Sequence, residues 1–124
     1  MITAKPTLQQ LAMRLRAATE KTPLRCKEVL EPLGEDLRIA YVEHFESMPG
    51  SSLLIDPIEL QPEFAEVIAA VAREAQKKLS SGELGTGLRG RSGRMWTWMK
   101  STLRERHQIE WRTPSEMTPD VVLD

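Results

Sequence analysis

Residues 62–81, PEFAEVIAAVAREAQKKLSS, decide the fold class. Phe64, Val67, Ile68, Val71, Ala72, Ala75 and Leu79 recur at steps of three and four, which places them on one face of a helix. Glu63 and Glu66 open the run and Lys77 and Lys78 close it, the order that complements a helix dipole. Ser80-Ser81-Gly82 ends it. A long amphipathic helix of this kind needs other helices to cover its apolar face.

Upstream, the pattern continues in the same style. Leu53 to Leu60 contains Pro57, so any strand there is short, irregular or at an edge. Met48-Pro49-Gly50-Ser51-Ser52 reads as a turn or short linker. In Glu35–Phe45, Leu37, Ala40, Tyr41 and His44 fit a helix, whereas Leu37, Ile39, Tyr41 and Phe45 fit an alternating strand. Its length and the acidic start at Glu35 and Asp36 favour the helix. A helix is expected from Thr22 as N-cap and Pro23 at the first position, with Cys26, Val29, Leu30 and Leu33 as its stripe and Gly34 as its stop. The first helix is expected to start at Thr7, where Thr7-x-x-Gln10 has the form of a capping box, with Leu8, Leu11, Ala12 and Leu15 inward.

Downstream lies a glycine- and arginine-rich loop over 82–93, which holds all but two of the chain's seven glycines. A last long helix is expected from about Ser92 to His107. Met95, Met99 and Leu103 line one side of it, Trp96 and Trp98 flank them, and Arg94, Thr97, Lys100, Ser101 and Arg104 face away. Residues Trp111–Asp124 read as extended, with Thr113-Pro114-Ser115-Glu116 able to start one short turn. The apolar Ile109, Trp111, Met117, Val121, Val122 and Leu123 suit a segment that packs back across the helices or presents an edge to a partner.

The fold class is therefore mostly α: a compact bundle of four or five helices in a single domain, 1–124, with an irregular or short-strand C-terminal segment. An α+β domain with a strand at 37–45 is the alternative. A chain of 124 residues buries roughly two-thirds of its unfolded surface, enough for a core without metals or disulfides. Cys26 is the one cysteine, so an internal disulfide is impossible and a reducing compartment fits. Residues 1–10 carry no signal-like cationic start and apolar run, and Val67–Ala72 is too short to cross a bilayer. No membrane association is expected, and the expected location is the cytoplasm.

Net charge is −1, but it is unevenly spread. Residues 1–76 sum to −4, residues 77–112 to +6 and residues 113–124 to −3. The basic third is the compositional feature with functional content. Arg89, Arg91, Arg94, Lys100 and Arg104 are its candidate anion-binding or nucleic-acid-binding residues. Glycine-flanked arginines reach phosphates in many geometries, and an accessible tryptophan stacks on a base.

Competing motifs are weaker. Gly85-Thr86-Gly87-Leu88-Arg89-Gly90 has the G-x-G-x-x-G form, and Gly85–Ser92 is one residue from a phosphate loop. Both forms need a buried strand before them, whereas a helix end precedes here, and Arg91 replaces the lysine. A helix-turn-helix over 7–33 would present Glu28 and Glu31 beside Arg25 and Lys27, which disfavours DNA contacts. Cys26 reads as a core thiol. His44 and His107 have no metal-ligand or triad spacing around them, so no catalytic, cofactor or metal residues are assigned. The expectation is a small non-enzymatic binding or regulatory protein engaging nucleic acid or an acidic protein through 77–112. The alternative is a protein–protein module of adaptor, inhibitor or antitoxin type with no nucleic-acid role.

Overall fold

Threonine side chains start three of the helices, each for the same electrostatic reason: the first backbone N–H groups of a helix lack internal acceptors. A computed structural model describes residues 5–48, 53–87 and 90–119. Helix α1 (Leu8–Thr19) begins with a capping box in which Thr7 Oγ1 accepts from Gln10 N–H at 3.1 Å and Gln10 Oε1 accepts from Thr7 N–H at 2.8 Å. Helix α2 (Pro23–Leu30) begins at Thr22, whose hydroxyl accepts from Arg25 N–H. Helix α6 (Pro114–Met117) repeats the box with Thr113 and Glu116. Between them run α3 (Glu35–Glu46), a 3-10 turn at Pro57–Leu60, α4 (Pro62–Ser81) and α5 (Arg91–His107). The protein is mostly helical, and the described residues contain no strand.

Two compact units divide the chain, 1–52 and 53–124. The division falls in the stretch read as a turn or linker, of which residues 49–52 lie outside the described ones. In the first unit α1 packs on α2 and on α3. Leu11, Ala12, Leu15, Cys26, Val29, Leu30, Tyr41, Val42 and Phe45 are buried. The 37–45 segment is helical, and it brings Tyr41 and Phe45 edge to face at 5.1 Å. One boundary differs from expectation. Helix α2 stops at Leu30, and Gly34 is the N-cap of α3, with φ −69°, instead of the stop of α2. The open carbonyl end of α2 is satisfied by a side chain: the Arg38 guanidinium donates to Leu30 O at 2.8 Å and Glu31 O at 2.7 Å. Leu33 consequently lies beyond the helix and is half-buried.

In the second unit α4 packs on α5, and Ile68, Val71, Ala75, Met99, Leu103, Ile109 and Trp111 form a common core. Each of the larger aliphatic side chains buried here contributes roughly 1.5–3 kcal/mol. Trp96 and Trp98 are half-buried at its margin. Of the segment after α5, Ile109, Trp111 and Met117 are buried and pack back within this unit, and Val121, Val122 and Leu123 lie outside the described residues. Thr118 Oγ1 accepts from Leu54 N–H, Glu59 accepts from the Trp111 indole N–H at 3.0 Å, and Asp56 holds Arg112 through backbone and side chain. Burial pushes the Glu59 carboxyl above its ordinary range. Residues 53–60, where a short strand was a possibility, instead form an extended lead into a turn that Pro57 opens and Asp56 caps. No helix among the described residues is long and apolar enough to cross a membrane.

Candidate anion-binding groove

The outward face of α5 borders a groove of about 450 Å³ closed on its far side by α6. Lys100, Arg104, Thr97 and Ser101 line it from α5 beside Trp96, and Ser115 and Glu116 line it from α6. The helical repeat explains the α5 contribution: positions 97, 101 and 104, with 96 and 100, recur at three- and four-residue steps. The α6 contribution depends on the capping box, in which the Glu116 carboxylate turns back to accept from the Thr113 N–H.

Two predicted cations meet carboxylates here. Lys100 Nζ donates to Glu116 Oε1 at 2.6 Å, the same oxygen that accepts from Thr113 N–H. The Arg104 fork donates to both oxygens of Glu110 at 3.1 and 3.0 Å. Glu116 is held below the usual carboxylate range, first by Lys100 and then by the Thr113 backbone, and Arg104 lowers Glu110 in the same way. The Lys100–Glu116 pair is half-covered, at 32% and 45% side-chain exposure, whereas the Arg104–Glu110 pair is wet, at 61% and 73%. Pairs this exposed are worth about 0–1 kcal/mol.

The other predicted residues are arranged differently. Arg94 lies outside the groove and turns back on the glycine loop, its Nη2 donating to Gly87 O at 2.9 Å. A Cβ at Gly85, where φ is +99°, would come within 3.2 Å of Arg94 Nε, so that glycine permits the guanidinium's approach. Helix α4 and its C-cap Gly82 precede this loop where a phosphate loop would have a strand. Arg91 opens α5, is half-buried and forms no ion pair among the described residues. Arg89 lies outside the described residues.

The basic segment is also neutralised beyond the groove. Lys78 pairs with Glu83, Arg106 with Glu74 and Arg112 with Asp56. Lys78 and Arg106 both stand over the Trp98 ring, at 5.6 and 5.7 Å from its centroid. Trp96, by contrast, borders the groove beside Lys100. Sequence reading did not single out Glu110 and Glu116 as partners. They stand six and sixteen residues from their cations, outside any helical i,i+4 rule.

Elsewhere, Cys26 is fully buried and burial raises its thiol pKa, outweighing the opposing pull of Thr19, Arg16 and Arg25. His44 is half-buried, and burial lowers its pKa. Among the described residues no three His, Cys, Asp or Glu side chains converge as metal ligands. Comparison of the chain with protein-family models, curated proteins and solved structures finds no match.

Proposed function

We propose that this chain is a non-enzymatic binding or regulatory protein of the cytoplasm that takes an anionic partner in the α5–α6 groove, nucleic acid being the first candidate. The observation that carries the reading is the convergence of Lys100 and Arg104 with the Thr97, Ser101 and Ser115 hydroxyls and the Trp96 indole on one open groove. These groups match a phosphodiester chain. Lys100 supplies a point charge, Arg104 a planar fork, the hydroxyls neutral donors and Trp96 a face for a base.

Binding works by exchange. Glu110 and Glu116 occupy the cations in the free protein, and phosphate oxygens replace them in the complex. The exposed Arg104–Glu110 pair costs little to break and the half-covered Lys100–Glu116 pair costs more, so the exchange lowers affinity without preventing it. An acidic protein is the other candidate partner, through the same cations.

The exchange step supplies the test. Glu116→Gln retains the capping box, which accepts glutamine at this position, while removing the competing charge. With Glu110→Gln it tightens binding of a labelled oligonucleotide by severalfold. Unchanged or weaker binding counts against the reading.

A further inference from the structure

A second groove lies in the first unit, between α1 and α2, and encloses about 690 Å³. We propose that it seats an acidic, amphipathic segment of a partner protein. Its apolar lining comes from Leu8, Ala12 and Met13 of α1 and Pro23 of α2, with Thr7, Gln9, Arg16 and Lys27 beside them. Met13 is 63% exposed, and Leu8, although on the apolar stripe of α1, is only half-buried. A flexible thioether at such a place adapts to the shape of an incoming apolar side chain.

The charges identify the occupant. Four other cations of this unit are matched from within. Lys5 faces Glu35 and Asp36, Arg14 grips Glu46 through two hydrogen bonds, Arg25 pairs with Glu28, and Arg38 binds backbone carbonyls. The side chains of Arg16 and Lys27 form no ion pair and no hydrogen bond among the described residues. Each stands in the last turn of its helix, where the dipole favours a cation. The dipole accounts for their sign but not for their meeting at one apolar groove. An occupant with apolar residues along one edge and Asp or Glu beside them satisfies both features at once, the helix-in-groove mode of recognition. The exposed Met13 and the apolar Leu8, Ala12 and Pro23 favour an amphipathic peptide over a nucleic-acid backbone, which offers no apolar edge to cover them.

The test selects short displayed peptides on the immobilised full chain, with the R16E/K27E chain as counter-target. Recovered peptides are then titrated into protein carrying 13C-labelled methionine methyls. The expected result is peptides rich in Asp or Glu beside apolar residues, a saturable shift of the Met13 methyl, and binding to R16E/K27E about tenfold weaker. R16Q/K27Q, expected to weaken binding less, keeps the comparison available if charge reversal disturbs the fold. Five results would each overturn the proposal: no peptide recovered, basic peptides recovered, equal binding to both chains, a Met13 methyl that does not move, or one that moves with the protein's own concentration. The last would assign the groove to a second copy of the chain.

Discussion

Thr118 Oγ1 accepts a hydrogen bond from the Leu54 backbone N–H at 2.8 Å, joining two fully buried residues sixty-four positions apart. With Asp56, which accepts from Arg112 N–H at 2.8 Å, it fixes the segment that carries Ser115 and Glu116 to the groove. Thr118→Val keeps the shape but cannot accept, leaving a buried N–H unsatisfied. The expected loss is about 1–3 kcal/mol in urea unfolding, with Thr118→Ser close to the parent. Equal stability of the valine variant would mean that this contact does not anchor the segment.

The loop and the start of α5 yield opposite outcomes for one substitution. Gly85→Ala forces a side chain onto φ +99° and against Arg94, and should destabilise by about 1–2 kcal/mol. Gly93 is helical with open space around its missing Cβ, so Gly93→Ala should stabilise by about 0.5 kcal/mol. Because Gly93 also borders the groove, the alanine should weaken oligonucleotide binding while raising the melting temperature. Thermal denaturation and a binding titration on the same samples check both.

How far these features could be read from sequence depends on their range. Capping by Thr7, Thr22 and Thr113, the α4 stripe and the helical choice for Glu35–Phe45 are local, set by spacing within a few residues. The end of α2 is not local in this sense, because Arg38, eight residues beyond Leu30, satisfies its carbonyls. The candidate cations were visible as a charge run, but their state was not. Glu110 and Glu116 reach Arg104 and Lys100 only after the chain after α5 has folded back. The helical wheel puts Arg94 on the outward face with the others, whereas its guanidinium folds back onto the backbone of the glycine loop. That requires loop geometry, which no helical wheel contains.

His44 gives the first unit a pH dependence near neutrality. Burial lowers its folded pKa below the ordinary 6.5, so the unfolded chain binds the proton more readily. Stability is therefore full above that value and falls as pH drops through 6.5 towards the folded pKa. The carboxylates held below their ordinary 4.5, Glu46 and Glu116 among them, lose their contributions only at more acid pH. Glu59, raised by burial, acts in the opposite sense, so the His44 contribution is read as a difference. Between about pH 7.5 and 5.5 the melting temperature should shift downward more in the parent than in His44→Gln. Parallel curves would remove His44 as the cause.

A fluorescence-anisotropy titration of a labelled single-stranded oligonucleotide, repeated across a salt series for the parent and for K100Q/R104Q, decides whether the α5–α6 groove takes an anion. If the groove contacts phosphates, log affinity falls linearly with log salt, and removing two contacts reduces the slope by about 1.4. An identical slope and affinity in the two proteins, or no binding even at low salt, would contradict the assignment of an anionic partner to this groove.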